Sequence, residues 1–139
     1  REDGTPPPVN LLLERKNGNF VRSQIIDKTV SACHDVSDGG IGIAITEMAL
    51  AGNIGAKITT PTNGTALHAW LFGEDQGRYI VTTNDPNSLL SAAEKASVPA
   101  VQVGTTSSDT LTFDGQGAIP LSDLRNIHEN WMPDYMSTP

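Results

Sequence analysis

Little in this 139-residue chain is aromatic, basic or sulfur-bearing, and each shortage excludes something. A single cysteine, Cys33, cannot close an internal disulfide, so no covalent framework is expected and a reducing compartment is the natural setting. Nine Lys and Arg against sixteen Asp and Glu leave a net charge of −7. Such a chain repels nucleic acid and anionic membrane surfaces, and no basic stripe overrides that. Aromatics, at 5%, are too few for a base-stacking platform. No apolar run approaches the length of a membrane span, and the opening REDGTPPPV lacks the apolar segment of a secretory leader. What is present is 37% apolar residue gathered in blocks, the pattern of a globular chain of one-domain size whose core needs no staples.

Positions 1–9 read as a linker from a preceding domain, because three consecutive prolines favour an extended path and forbid helix. Residues 10–139 read as a single domain. Asn19 is placed to cap a helix carrying Phe20, Val21, Ile25 and Ile26. Val30–His34 reads as a short buried strand, which would make Cys33 an inert core thiol. Ile41, Ala44, Ile45 and Met48 share one face of a helix over Ile41–Ala51. Ile43, Ala49 and Leu50 extend its apolar surface, so it is expected to be buried on more than one side, and Gly52-Asn53 ends it. Gly55–Thr59 reads as strand and Thr65–Phe72 as a short helix. Arg78–Thr83 (RYIVTT) is a β run. Asp85 caps a helix that opens with Pro86 and turns Leu89, Leu90 and Ala93 inward. Strands are expected over Ala100–Thr105 and Thr110–Phe113. A last helix spans Leu121–Trp131, with Leu121, Leu124, Ile127 and Trp131 on one side and Pro133 as its stop. Trp70, Trp131 and Phe20 read as core or interface anchors. This order implies an α+β fold with helices packed on a mixed β-sheet.

Two polar stretches could carry chemistry. HDVSDGG follows a strand and opens a helix, whose first N–H groups suit an anion. Gly39 and Gly40 would let a ligand approach the backbone closely. The alternative is that Asp38 simply caps the helix and the glycines permit the turn. Ser37 is no nucleophile elbow, since Asp35 stands where that motif needs glycine. The second stretch, GEDQG, sets Glu74, Asp75 and Gln76 in a glycine-flanked loop before a strand, suited either to a polar ligand or to solvent. His34, Asp35, Asp38 and Glu74 match no zinc spacing, and their hard oxygens would suit Mg²⁺ better; no protein-only metal site and no catalytic residue is assigned.

HDVSDGGIGIAITEMALAG, WLFGEDQGRYIVTT and the closing HENWMPDYM together resemble the C-terminal domain of the phosphoribosylformylglycinamidine synthases, within the AIR-synthase-related superfamily. The resemblance covers nearly the whole chain. REDGTPPPV is similar to the link from a preceding ATP-binding domain, and NGNFVRSQI to the first helix of the C-terminal domain. The resemblance implies an AIR-synthase C-terminal-domain-like fold and an ATP-dependent amidotransferase of purine biosynthesis. Such an enzyme converts formylglycinamide ribonucleotide to formylglycinamidine ribonucleotide: ATP activates the amide oxygen as an iminophosphate, and ammonia displaces phosphate. It implies that ATP and Mg²⁺ are held mainly by other domains, which also carry the catalytic histidine. His34, Asp35, Ser37, Asp38, Gly39 and Gly40 would then form one wall of an interdomain cleft facing a nucleotide or phosphate. Glu74-Asp75-Gln76 looks like the counterpart of a Glu-Ser-Gln substrate loop in the first repeat, with Asp75 where serine would stand. The isolated chain is expected to be inactive. The implied partners are preceding ATP-binding domains and a separate glutaminase subunit, in the cytoplasm. A different class of reading makes the chain a structural and interaction domain of another superfamily enzyme, such as an aminoimidazole ribonucleotide synthetase.

Overall fold

The computed structural model describes residues 8–60 and 64–137, so most of the expected linker lies outside the described residues. In chain order the elements are α1 (Leu11–Ile26), β1 (Ala32–Asp35), α2 (Gly40–Gly52), β2 (Gly55–Ile58), α3 (Leu67–Phe72), β3 (Tyr79–Thr82), α4 (Pro86–Lys95), β4 (Gly104–Ser107), β5 (Thr110–Phe113), β6 (Ala118–Pro120) and α5 (Leu121–Ser137). The α+β class holds, with the strands divided between two sheets. The described residues form two compact units. One takes the chain up to Ala44 together with Ala66–Gln102; the other takes Ile45–Thr65 and the chain from Val103 onward.

In the first unit β1 and β3 pair antiparallel, with Cys33 opposite Val81 and Asp35 opposite Tyr79. The helix expected from Asn19 begins nine residues earlier, because Asn10 is the working cap: its side chain accepts the Leu13 N–H at 3.0 Å. The leucine run that follows favours helix strongly enough to carry Gly18 inside it, at a cost of about 1 kcal/mol against alanine. Gly18 also makes room for a neighbour, since a Cβ there would lie 3.2 Å from the Tyr79 hydroxyl. Asp85 caps α4 as expected, accepting the Ser88 N–H at 3.0 Å, with Pro86 in the first turn. That bond holds the Asp85 carboxyl below its usual range. Cys33 is exposed, not a core thiol: strand β1 belongs to a two-stranded sheet that buries none of its four residues. Partial burial, then the Asp35 carboxylate, push its thiol pKa up, so it is a poor thiolate at neutral pH.

The second unit is built on a mixed four-stranded sheet in the order β4-β2-β5-β6. β2 runs parallel to β5 and antiparallel to β4, and β6 closes an edge antiparallel to β5. Its core is Ile45, Ala49, Leu50, Ile58, Leu111 and Leu121, with Leu111 only 1% exposed. β6 escaped the sequence reading because its three residues are all exposed and end on Pro120, which an edge strand tolerates. The strand expected over 100–105 is displaced to Gly104–Ser107, where Gly104 and Thr105 pair with Ile58 and Lys57. Pro133 does not stop the last helix, which runs on to Ser137. Side-chain ties at i, i+4 span that stretch: Arg125 to Glu129, Asn130 to Asn126, and Trp131 stacked on Tyr135 with ring centroids 5.5 Å apart. Ile127 and Trp131, expected on the buried side, are 73% and 62% exposed.

Helix α2 contributes Gly40–Ala44 to the first unit and its remainder to the second. It is apolar as expected, with Ile41, Ala44, Ile45, Ala49 and Leu50 all buried, while Ile43 is exposed. Helices α1, α2 and α4 end alike. Lys28, Asn53 and Ser97 adopt left-handed backbone, at φ 57°, 50° and 53°. Their N–H groups and those of Thr29, Ile54 and Val98 bond back to the last helical turn. No helix among the described residues is long and apolar enough to cross a membrane.

Candidate functional site

The pairing of β1 with β3 brings the two polar stretches together. Beyond Asp35 the ladder continues, with the Val36 N–H donating to the Arg78 carbonyl at 2.9 Å. The segment 36–39 and the loop 73–78 therefore emerge side by side in the first unit. The Gly39 N–H donates to Glu74 Oε1 at 2.9 Å, which joins HDVSDGG directly to GEDQG. The carboxylate thus takes one of the amides that the sequence offered to an anion. The next amide, of Gly40, donates to the Ser37 carbonyl at 3.0 Å.

The glycines are needed, but for close packing of the chain on itself. Gly39 and Gly40 have φ of +76° and +70°. A Cβ on Gly40 would stand 2.7 Å from the carbonyl oxygens of Leu71 and Gly73. The end of α3 therefore packs against Gly40 on the side where a side chain would stand. The loop after α3 is tied by Arg78, whose Nη2 donates to the Gly73 carbonyl at 2.5 Å and lies 3.5 Å from Asp75 Oδ2, while Nε donates to the Asp75 carbonyl.

A cleft of about 270 Å³ opens between these loops. Asp35, Ser37, Asp38, Glu74 and Gln76 line it, whereas His34, Gly39, Gly40 and Asp75 do not. His34 Nδ1 contacts the Asp35 carbonyl at 2.5 Å and sits 3.8 Å from Asp35 Oδ1. Sequence reasoning missed five lining residues, Glu14, Val36, Gly77, Arg78 and Tyr79. Tyr79 and Arg78 were read only as strand. Glu14 was lost with the misplaced helix start; recognising Asn10 as the cap would have put it in the first turn of α1. Glu14 Oε1 is shut off from solvent and meets no hydrogen-bond donor, as does Asn17 Oδ1 one turn later. Asn17 is oriented by its other end, since Nδ2 donates to the Gly77 carbonyl at 3.1 Å. The cleft is acidic, with Glu14, Asp35, Asp38 and Glu74 against one guanidinium. Among the described residues, no three His, Cys, Asp or Glu side chains are grouped to hold a metal ion.

The second unit has a shallower cleft of about 300 Å³ beside the end of α2, lined by Glu47, Arg125 and His128 among others. Arg125 crosses its floor to donate to the Leu50 carbonyl at 2.6 Å, satisfying the C-terminal end of α2.

The sequence model of the AIR synthase related protein, C-terminal domain, matches residues 1–114. The chain belongs to this family. Among curated members, the phosphoribosylformylglycinamidine synthase subunit PurL of Rhodopseudomonas palustris (strain HaA2) is 50% identical over 139 residues, covering 99% of this chain and 19% of its own. The subunit of the same name from Methylocella silvestris is 49% identical over 139 residues, again across 99% and 19%. This AIR-synthase-related domain thus spans about a fifth of the length of the relatives it matches. Solved structures agree on the fold. Thermotoga maritima PurL complexed with FGAR superposes with a TM-score of 0.67 at 20% identity, over 80% of this chain and 20% of that one. Phosphoribosylformylglycinamidine synthase II of the same organism gives 0.70 at 18% identity, over 84% and 22%.

Proposed function

We propose that this chain is the C-terminal AIR-synthase-related domain of a phosphoribosylformylglycinamidine synthase, with residues 10–139 as one domain. The observation that carries this is 50% identity running through 99% of the chain to a subunit of that name. The longer polypeptide then converts formylglycinamide ribonucleotide to formylglycinamidine ribonucleotide, using ATP and ammonia. The domain itself supplies no turnover, because positioning and charge stabilisation at the transferring phosphate need groups it lacks. Its lone guanidinium in the cleft is engaged by Gly73 and Asp75. Among the described residues no three His, Cys, Asp or Glu side chains are grouped to hold a metal ion, and ATP and Mg²⁺ are assigned mainly to the remainder of the polypeptide.

The cleft lined by Asp35, Ser37, Asp38, Glu74 and Gln76 would be this domain's contribution, one wall facing the nucleotide substrate. A glutaminase subunit is the expected ammonia source, in line with a Thermotoga maritima assembly described as PurLQS. The cytoplasm is the expected location. The test is reconstitution. The longer polypeptide carrying this domain should form formylglycinamidine ribonucleotide from formylglycinamide ribonucleotide, ATP and ammonium, whereas residues 1–139 alone should give no product. Turnover by the isolated domain, or none by the longer chain, overturns the reading.

A further inference from the structure

Three Asn-Gly or Asp-Gly pairs lie among the described residues: Asn17-Gly18, Asp38-Gly39 and Asp114-Gly115. Such a pair can react with itself. The glycine nitrogen closes a succinimide ring on the side-chain carbonyl carbon before it, and the absence of a Cβ hinders that approach least. The fold treats the three pairs differently. Asn17-Gly18 lies inside α1, and Asn17 Nδ2 is tied to the Gly77 carbonyl at 3.1 Å. The other two pairs occupy matching turns. The Ser37 and Phe113 carbonyls accept the Gly40 and Gln116 N–H groups at 3.0 and 2.9 Å. Each turn carries an exposed aspartate, then a glycine at φ +76° or +75°. They differ at the glycine amide. That of Gly39 donates to Glu74 Oε1 at 2.9 Å, and a Cβ on Gly39 would strike the Ile43 side chain. That of Gly115 meets no acceptor among the described residues, and nothing stands within 4 Å of where its Cβ would be.

We propose that Asp114-Gly115 is a site of spontaneous aspartate isomerisation, and that Glu74 protects the chemically equivalent Asp38-Gly39 in the cleft wall. Turning the Asp114–Gly115 peptide plane toward the carboxyl group breaks no hydrogen bond of its N–H. Turning the Asp38–Gly39 plane breaks one to a carboxylate. The reaction balances with water alone. The Gly115 nitrogen bonds to Asp114 Cγ, a Cγ–O bond breaks, and the departing hydroxyl takes the amide proton to leave as water. A second water then opens the ring. Addition at Cγ restores aspartate. Addition at the main-chain carbonyl gives isoaspartate, whose main chain runs through Cγ and is longer by one methylene. That insertion falls where β5 turns toward β6, beside the Asp114 N–H bond to the Ile58 carbonyl at 3.0 Å, and loosens this edge of the second unit's sheet. None of this depends on which reaction the longer polypeptide catalyses.

The test ages the longer polypeptide in heavy-oxygen water and maps label and isoaspartate to peptides by chromatography and mass spectrometry. Each passage through the ring leaves one heavy oxygen behind. A hydrogen bond to a charged acceptor predicts that Asp38 labels roughly ten- to a hundredfold more slowly than Asp114 in the native protein. In guanidinium chloride, where the turns are lost, the two sites should label alike. Glu74→Ala should speed labelling at Asp38 by the same factor and leave Asp114 unchanged. Glu74→Gln, which keeps a neutral acceptor for the Gly39 amide, should fall between. Equal native rates at the two sites, or no label at Asp114 in the native protein, overturn the assignment of the site. A rate at Asp38 that neither Glu74 variant raises overturns the protection. If Glu74→Ala fails to fold, the native comparison and Glu74→Gln decide both points.

Discussion

The two units of this chain are held together by different means. The second has a conventional core, in which Leu111 and Ile58 of a four-stranded sheet are buried among Ile45, Ala49, Leu50 and Leu121. The first has a two-stranded sheet, a sixteen-residue α1 with no buried residue, and a set of long-range polar ties: Gly39 to Glu74, Asn17 to Gly77, Val36 to Arg78. The unit that carries the cleft also buries Val36, Ile41, Ala44, Ala93 and Val98, and adds these long-range polar ties to that smaller apolar set. Cleft walls need polar groups at the surface, and polar groups cannot also build a core.

That contrast can be broken by mutation. Leu111→Ala should be the most damaging change, costing about 2–5 kcal/mol by urea unfolding, since the side chain is fully enclosed by the sheet. Gly40→Ala follows, at about 1–3 kcal/mol for left-handed backbone alone, with crowding against Leu71 and Gly73 added. If Gly40→Ala were silent in thermal unfolding, the idea that close backbone packing holds the first unit would fall. Asn10→Ala should cost about 1 kcal/mol, and the loss should be seen as faster hydrogen exchange in the first turn of α1. Asp85→Ala should have the smallest effect, and its size depends on pH. The native carboxyl is held below its ordinary value, so its contribution is present at neutral pH and is lost as pH falls through the lowered native value. Unfolding curves of Asp85→Ala and wild type should therefore converge in acid; a difference that persists there would reject the cap as its cause.

Much of the fold was legible because its signals are local. The apolar spacing of Ile41 to Met48, the Asp85-Pro86 start and the β run at RYIVTT each announce their element within a few residues. The misses share a different cause. Asn10 and Asn19 are equally good caps in isolation, and only the docking of Gly18 under Tyr79 and of Glu14 against Gly77 distinguishes them. Pro133 reads as a helix stop because side-chain ties that carry a helix past a proline are invisible to a breaker rule. Cys33 reads as buried because a short apolar strand does not reveal how many strands will flank it. For the cleft, residue types and their chain positions pointed to Asp35, Ser37, Asp38, Glu74 and Gln76. The sequence could not say that Glu74 would take the amide meant for a ligand, since that depends on the β1–β3 register across half the chain.

The bond between the Gly39 amide and Glu74 spans 35 residues, yet little of that closure entropy is its own. Asp35 and Tyr79 are already paired by the strands, so the bond orders only the short arms from 35 to 39 and from 74 to 79. Loop-closure entropy grows slowly with length and falls chiefly on whichever contact forms first, here the strand pair. The bond accordingly closes late in folding, contributes little to the transition state, and can release while the strands stay zipped. The Gly39 amide should exchange with solvent through this small opening. The Val36 amide, bonded to Arg78, should wait for separation of the strands themselves. The cleft wall is thus a latch on a fixed frame: its ends move on the timescale of a loop, its base only on that of unfolding.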